Sequence, residues 1–600
     1  MNSFLSVCMI VKDEENNIRR CFESIYSVAN EIIVVDTGSK DNTKEIARTF
    51  GAKVYDFQWV DDFSKARNYS IEKASGNWIL IMDADDELDK NDSSKILDII
   101  NNPDSADVYM LNTVCYYGDL PGNERVLNVS IRLFRNKPSL RYEGRIHEHI
   151  SIKDDSIKVK TENINIYHYG YLNSVVEEKN KRNRNMRILE KQLAEEPDNP
   201  YYQFCMGNEY TALNNPEKAL EYYIPAYNKC RMTDIYVPKL IFRIVLSYQK
   251  LKKYEEALMF VDEGLKYYPN YTDLEYLRGN IFHETGKLGK AIKSFEKCLS
   301  LGDPPPVLSF IIGVGGYLAS YALGNIYHQI SDLDSALKYY NETLKLNPKF
   351  YDAIYKIGNV ITSVTTDQEE IKKTIEQFFP QKTPEGFTML ADIMFCEKQY
   401  TLALNYINMA LEHHINNDSL VFLKGQCLYH LRLFQEAIKE FTKIPENNKC
   451  YIPSLKLSYL CFSFMDELSR AEETLNKLYE INAPVDVIKV YSSLNNLFLK
   501  KEKIILSESK DESEVYLPII LEILDSILSV KEFDKFETAL ELFNCITNDD
   551  VLLFLSKLYY KHGFYDMSTK EIIRSIKLFD KIDVETSYIL YKILSSKSYN

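Results

Sequence analysis

The sequence predicts an α/β domain with a mostly parallel sheet at the N-terminus, followed by an all-α array of paired helices. Over about the first third of the chain, short apolar runs alternate with helical patterns, as in parallel strands that helices cover on both faces. From about residue 198 the helical pattern repeats with a period of 34 residues. Such a period is typical of solenoids, in which each unit buries its apolar face against its neighbours.

Seven apolar runs are candidate strands, and the segments between the first four have helical periodicity. The predicted strands are residues 4–11, 32–35, 53–57, 78–82, 108–117, 130–134 and 147–152. The predicted helices are residues 14–27, 41–50, 63–74 and 175–194, the last of which leaves the domain. Asp41 is placed to cap the second of these helices. This alternation is typical of sheets that bind nucleotides.

Small residues mark the repeats of the second part. Ala403, Ala437 and Ala471 follow one another at intervals of 34 residues, and Ala257 and Ala291 share the same spacing. Small side chains lie where the two helices of a hairpin cross closely, and both the length and these positions resemble tetratricopeptide repeats. The predicted boundaries are a domain at 1–172, a connecting helix at 173–197, repeats at 198–499, a charged linker at 500–514 and degenerate or capping repeats at 515–600.

Composition and charge disfavour several classes of protein. A net charge of -15 over 600 residues argues against a general nucleic-acid binder, which needs clustered Lys and Arg. The 11 cysteines lack the spacing of zinc or disulfide frameworks, and the first strand follows no export signal, so we expect a cytoplasmic protein. Residues 304–331 carry no Asp, Glu, Lys or Arg. Their prolines and repeat register favour buried helices over a membrane span, so no transmembrane segment is expected.

Acidic residues follow the predicted strand at 78–82. Asp83 and Asp85 stand two residues apart, at the carboxyl end of a strand, where open α/β sheets bind ligands. Carboxylate oxygens hold Mg²⁺ or Mn²⁺, which neutralise a diphosphate leaving group. A solvated acidic turn is the alternative.

Asp36 ends an earlier strand, before Gly38. A hydrogen-bond acceptor at this position suits an N–H group of a nucleotide base or a ribose hydroxyl. A helix cap is the alternative role for Asp36.

Four motifs in order resemble glycosyltransferase family 2, which has the GT-A fold. They are SVCMIVKDE at 6–14, VVDTGSKDNT at 34–43, FSKARN at 63–68 and MDADDE at 82–87. The resemblance covers roughly residues 3–170. The repeats that follow resemble the bacterial branch of this family in which the catalytic domain is joined to tetratricopeptide repeats, and characterised members of that branch glycosylate peptides or proteins.

The resemblance implies roles for individual residues. Asp36 would contact the base of a sugar nucleotide, Asp83 the ribose or the metal shell, and Asp85 the metal itself. Arg67 would lie near the nucleotide or diphosphate, where a guanidinium suits phosphate oxygens. His168, before a glycine turn in IYHYGY, stands where many GT-A enzymes have a further metal ligand, a structural histidine being the alternative.

The segments RLFRN at 132–136 and YEGRIHEH at 142–149 resemble parts of the family that line the acceptor side. An inverting transfer needs a carboxylate to remove the acceptor proton, and Glu148 is the candidate for that base. The short acidic motif that usually carries the base is not present in clear form. Asp86 and Glu143 are therefore alternative bases, with Glu148 organising the site instead.

The function expected from these observations is an inverting transfer of a hexose or N-acetylhexosamine from a nucleotide-sugar, with UDP as the favoured nucleotide, to a protein or peptide on the repeats. Mn²⁺ or Mg²⁺ is the expected cofactor. One alternative acceptor is a cell-surface or lipid-linked glycan, and one alternative function is an inactive repeat scaffold. Donor selectivity is assigned to loops such as residues 116–125, while the acceptor atom, oxygen or sulfur, and the oligomeric state stay open at this stage.

Overall fold

The computed structural model describes residues 4–116, 125–152, 154, 156–170, 181–379, 383–412, 417–501, 505–507 and 509–597. The chain divides into two units, Met1–Ala353 and Ile354–Asn600, each described by itself. Three sequence predictions fall partly outside the described residues: most of the loop 116–125, Tyr171 of the IYHYGY segment, and the start of the helix predicted at 175–194.

An eight-stranded sheet forms the centre of the N-terminal domain, with strand order β3-β2-β1-β4-β7-β6-β10-β5. Strands β8 and β9 form a separate two-stranded sheet. In chain order, the strands β1 to β10 are Leu5–Val11, Glu31–Asp36, Lys53–Asp56, Trp78–Ile81, Asp86–Leu88, Val108–Tyr116, Arg125–Arg135, Tyr142–Glu143, His149–Ile150 and Val159–His168.

Strand direction changes across the sheet. The four strands β3, β2, β1 and β4 are parallel, β7 is antiparallel to both of its neighbours, and β10 runs parallel to β6. The short strand β5 pairs antiparallel with the end of β10 and sets His168 opposite Asp86. The ends of β4 and β10, far apart in sequence, therefore meet at one edge of the domain.

Helices cover the sheet on both faces, as the unbroken apolar strands predict. They are α1 (Ile18–Ile25), α2 (Thr43–Thr49), α3 (Phe63–Lys73) and α4 (Ser93–Asn101). Alternate residues of β1 enter different cores: Val7 and Met9 pack with α1, whereas Cys8 packs in the cluster that includes Ile71 of α3. Burial on both faces explains why the strand reads as a continuous apolar run.

The rest of the chain is helical, and the predicted fold class is confirmed. Helices α5 to α13 are Lys181–Glu195, Pro200–Ala212, Pro216–Lys229, Val237–Lys250, Tyr254–Tyr267, Thr272–Glu284, Leu288–Leu301, Tyr317–Gln329 and Leu333–Leu346. Helix α14 is Tyr351–Val364 and contains the boundary between the two units. Helices α15 to α27 are Gln368–Ile375, Pro384–Cys396, Tyr400–Leu411, Asp418–His430, Phe434–Phe441, Tyr451–Phe464, Leu468–Glu480, Val485–Phe498, Lys510–Ser529, Phe533–Leu540, Val551–Lys561, Tyr565–Phe579 and Val584–Lys597.

Glycines let the paired helices approach closely. A Cβ added at Gly207 would lie 2.4 Å from the ring of Tyr223, and one at Gly324 would lie 2.6 Å from the ring of Tyr340. In each pair an aromatic ring of the second helix fills the space that the glycine of the first helix leaves. The small residues that recur in the sequence therefore mark helix crossings.

The segment 304–331, which resembles a weak membrane span, folds into a short 3₁₀ turn (Pro306–Leu308) and helix α12. In the part of the chain that the structure describes, no helix is both long and apolar enough to cross a bilayer. Helix α23 begins at Lys510, inside the range predicted as a charged linker. The domain boundaries predicted from the sequence stay predictions.

Candidate active site

Four metal-ligating side chains meet where β4 and β10 end. Asp83, Asp85 and Asp86 follow β4, and His168 is the last residue of β10. One ligand atom from each lies within 4.8 Å of the others. The antiparallel pairing of β5 with β10 makes this possible, because it places His168 beside Asp86.

Asp86 orients the imidazole of His168. Asp86 is fully buried, and its Oδ1 lies 2.8 Å from His168 Nδ1. Its Oδ2 accepts hydrogen bonds from the backbone N–H of Asp83, at 2.8 Å, and from Arg132 Nη1, at 3.0 Å. A carboxylate that holds one ring nitrogen of a histidine is the usual support for a metal ligand that binds through the other nitrogen.

Gly170 leaves room between the two side chains expected to bind a metal. A Cβ built on Gly170 would lie 2.3 Å from Asp85 Oδ2 and 2.7 Å from His168 Nε2. The carboxylate oxygen and the imidazole nitrogen therefore face the same space. One carboxylate and one imidazole, with further acidic groups near, fit a divalent cation such as Mn²⁺.

Two buried arginines offset the negative charge of the cluster. Arg67 Nη2 donates to Asp83 Oδ1 at 2.9 Å, and Arg132 Nη1 lies 3.5 Å from Asp83 Oδ2. Burial opposes ionisation of Asp83, but the nearby guanidinium groups of Arg67 and Arg132 outweigh it and hold the pKa of Asp83 below its usual value. Asp83 is therefore a carboxylate that accepts charge-assisted hydrogen bonds from two sides.

His168 experiences the same field of carboxylates. Burial disfavours its charged form, but Asp85 and the hydrogen bond to Asp86 outweigh burial and raise its pKa to about 9. The acidic groups therefore favour positive charge at the position of His168, as they would favour a cation beside it.

Glu148 reaches the cluster from the loop between β8 and β9. Arg67 Nε donates to Glu148 Oε1 at 2.5 Å, so a single guanidinium joins Glu148 to Asp83. Arg67 Nη1 is buried and has no hydrogen-bond partner among the described residues. That nitrogen is available to a ligand oxygen such as that of a diphosphate. Glu143, the other acid of this segment, is exposed on β8.

Asp36 ends β2, two strands from β4 in the sheet, and is 2% exposed. Its carboxylate accepts from the backbone N–H of Gly38 at 3.0 Å and of Ser39 at 3.1 Å, and Lys44 Nζ lies 4.0 Å away. Asp36 thus closes a tight turn at the carboxyl edge of the sheet. The structure does not bring it into the metal-ligating cluster.

The N-terminal domain matches a known family. The model of glycosyl transferase family 2 matches residues 6–164. This range includes Arg67, Glu148 and the three aspartates of the acidic cluster, Asp83, Asp85 and Asp86. Residues 6–164 form a glycosyltransferase family 2 domain. Models of the tetratricopeptide repeat match residues 276–301 and 317–350, so the glycosyltransferase domain is joined to tetratricopeptide repeats, as the sequence predicts.

Three relatives are similar to parts of this chain. A TPR repeat-containing protein of Synechococcus elongatus is 27% identical over 313 residues, which are 49% of this chain and 75% of the relative. The SPbeta prophage-derived glycosyltransferase SunS of Bacillus subtilis is 30% identical over 286 residues, 46% of this chain and 65% of that protein. An uncharacterized glycosyltransferase of Rickettsia typhi is 32% identical over 137 residues, 22% of this chain and 47% of the relative.

The structure brings together six of the eight candidate site residues that the sequence analysis names, and leaves Asp36 and Glu143 outside the cluster. Those six are Asp83, Asp85, Asp86, Arg67, Glu148 and His168. Sequence reasoning identified neither the space that Gly170 leaves between Asp85 and His168 nor the contacts of the Arg132 guanidinium with Asp83 and Asp86. The glycine after the histidine was visible as a turn signal, but its closeness to Asp85 was not.

Proposed function

We propose that this chain transfers a sugar, with inversion at the anomeric carbon, from a UDP-sugar to a peptide or protein acceptor and uses Mn²⁺ or Mg²⁺. The observation that carries the proposal is the pair of ligand atoms, Asp85 Oδ2 and His168 Nε2, that face one space beside the buried cation Arg67. A divalent cation held there would supply positive charge to the oxygens of the departing diphosphate.

The remaining residues divide the work of binding and proton transfer. Arg67 donates through Nη1 to a diphosphate oxygen, which gives that buried nitrogen a partner. Asp36 and Asp83 hold the base and the ribose of the donor. Asp86 has both oxygens engaged by His168, Asp83 and Arg132, so it positions the site and does not exchange protons.

Glu148 is the base of the proposed reaction. It removes the proton of an acceptor hydroxyl or thiol as that atom bonds to the anomeric carbon and the carbon–oxygen bond to the diphosphate breaks with its electron pair. In the present arrangement Arg67 holds Glu148. A donor diphosphate that shares Arg67 weakens this ion pair, so the donor binds first and the base becomes available for the acceptor.

The peptide or protein acceptor rests on the repeats. Tetratricopeptide arrays form extended concave surfaces, which commonly bind polypeptide segments. Residues 276–301 and 317–350 match such repeats and belong to the same unit as the glycosyltransferase domain, which supports this proposal.

The first experiment measures release of nucleoside diphosphate from a panel of UDP- and GDP-sugars with Mn²⁺, Mg²⁺ or EDTA. It compares the wild type, Asp85→Ala, and the control Asp98→Ala, which removes an exposed carboxylate of α4. The proposal expects release that needs the metal, is lost in Asp85→Ala and persists in Asp98→Ala. No release by the wild type with any donor would instead support the inactive scaffold.

A second experiment identifies the acceptor class. The wild type and a labelled donor are incubated with a lysate, and the product is divided into protease-sensitive and lipid-extractable label. Label that protease converts to small fragments supports a polypeptide acceptor. Label that moves to the organic phase supports a lipid-linked glycan and contradicts the proposed acceptor.

A further inference from the structure

The loop that carries Glu148 packs against helices α5 and α6. This loop runs from Gly144 to Glu148, between β8 and β9. Ile146 is buried in an apolar cluster whose other members include Ile188 and Leu189 of α5 and Phe204 of α6. The loop therefore contributes a side chain to the core of the repeats, although its sequence belongs to the glycosyltransferase domain.

His147 adopts a left-handed conformation that helix α6 supports. Its φ is 51°, a region that residues with a side chain rarely adopt. Tyr201 Oη, on α6, donates to the carbonyl oxygen of His147 at 2.8 Å, and the ring of Tyr201 packs edge-on against His149. Glu209, also on α6 and buried, lies 3.6 Å from His147 Nε2. Helix α6 therefore holds the backbone of His147 and places a carboxylate near its imidazole, whose Nε2 makes no hydrogen bond among the described residues.

A second contact holds the other partner of the ion pair. Asp61 has a φ of 55° and directly precedes Asp62, which caps α3 by accepting from Lys65 N–H at 3.1 Å. Helix α3 carries Arg67. Two basic side chains of α5, Arg187 and Lys191, each reach an oxygen of Asp61 at 2.9 Å.

These contacts share one consequence. Within residues 4–170, the described non-glycine residues with positive φ are Asp13, Asp61 and His147, and two of the three are held by α5 or α6. The contact at Asp61 holds the start of the helix that carries Arg67, and the contact at His147 holds the loop that carries Glu148. Arg67 and Glu148 then meet at 2.5 Å.

We propose that the connecting helix α5 and the first helix of the repeats, α6, are positioning elements of the active site, with Tyr201 as the residue that sets Glu148 against Arg67. The inference rests on the proposed function and adds that the repeats serve the chemical step, not only acceptor capture. A backbone that must be held in a strained conformation relaxes when its support is removed. Loss of Tyr201 Oη therefore displaces Glu148.

The test compares Tyr201→Phe with Tyr210→Phe, a matched control on the same helix whose ring stacks on Tyr222. Donor turnover with water as acceptor is measured, so that acceptor binding does not contribute. We expect kcat of Tyr201→Phe to fall about fivefold, the value of one lost hydrogen bond. The donor KM and the melting temperature should match those of Tyr210→Phe.

A double-mutant cycle separates positioning from general destabilisation. In a Glu148→Gln background the Tyr201→Phe change should have no further effect on kcat, because the carboxylate it positions is gone. Equal effects of Tyr201→Phe in both backgrounds, or a donor KM that rises in step with the fall in kcat, would overturn the proposal.

Hydrogen exchange provides a measurement that does not depend on turnover. Amides of residues 142–150 should exchange faster in Tyr201→Phe than in the wild type and in Tyr210→Phe. Unchanged exchange there contradicts the positioning role. Absence of any donor turnover in the wild type contradicts the proposed function alone, and faster exchange in that case still supports the contact between α6 and the loop.

Discussion

Replacement of Gly170 by alanine tests the candidate metal site with a single methyl group. The added Cβ would lie 2.3 Å from Asp85 Oδ2 and 2.7 Å from His168 Nε2, with no positive φ to strain the backbone. Non-bonded heavy atoms normally stay about 3.5 Å apart, so the two ligand atoms must retreat by roughly 1 Å. The chain should fold, but with its ligand atoms displaced.

The size of the effect follows from that displacement. A misplacement of about 1 Å at a reacting centre costs roughly 100-fold in rate. We therefore expect Gly170→Ala to lose about two orders of magnitude in metal-dependent release of nucleoside diphosphate. The concentration of Mn²⁺ that gives half-maximal activity should rise at least about tenfold, in the range seen when metal ligands are disturbed.

The assay is a Mn²⁺ titration followed both by donor turnover and by thermal stabilisation, which reports metal binding without catalysis. Gly289→Ala is the matched control, because a Cβ at Gly289 meets nothing within 4 Å. His168→Ala should reproduce the weakened Mn²⁺ response. A Gly170→Ala variant with the Mn²⁺ response and turnover of the wild type would refute the assignment of Asp85 and His168 as ligands.

Three further predictions concern Asp86, Asp273 and Gly207. Asp86→Asn should weaken Mn²⁺ binding about 10- to 100-fold, because it disturbs the group that orients His168. A large fall in kcat at unchanged Mn²⁺ affinity would instead identify Asp86 as the base. Burial raises the pKa of Asp273 to about 7. Between about pH 4 and pH 7 the folded chain therefore keeps a proton that the unfolded chain releases, and the free energy of unfolding falls as the pH rises through this range. Asp273→Asn should therefore gain stability over the wild type as the pH rises from 5 to 8, by at most about 3 kcal/mol, and thermal melts with an equal difference at both pH values would contradict this. Gly207→Ala should lower the free energy of unfolding in urea by about 1–3 kcal/mol, because the added Cβ would lie 2.4 Å from the ring of Tyr223. An unchanged urea midpoint of unfolding would contradict the close crossing of α6 and α7.

The fold could be predicted because its signals are local. The central strand β1 is apolar on both faces and so reads as a strand between helices, and the glycines and alanines at helix crossings repeat at a fixed distance along the chain. The position of Asp83 and Asp85 after a buried strand is also a local signal, because the carboxyl ends of strands in an open sheet line the ligand crevice.

The contacts that define the site are not local. His168 and Asp86 are 82 residues apart in the chain, and Arg67 and Glu148 are 81 apart. The role of Asp86 depends on the antiparallel pairing of β5 with β10. Strand β5 has only three residues, and nothing in the acidic run of the sequence distinguishes it as a strand. The support of His147 by Tyr201 links two regions that the sequence divides into separate domains.

The charges of the site explain why its arrangement suits a cation and a diphosphate together. Asp83, Asp85, Asp86 and Glu148 provide four carboxylates, while Arg67 and Arg132 provide two guanidinium groups, all within one network of contacts. With His168 neutral, as a metal ligand must be, the excess of two negative charges is what one divalent cation would balance. Within this network, Arg67 Nη1 is a buried donor without a hydrogen-bond partner among the described residues, and an anionic ligand would give it one. The same arginine holds Glu148, so in the proposed reaction the binding of the donor and the release of the base would depend on one side chain.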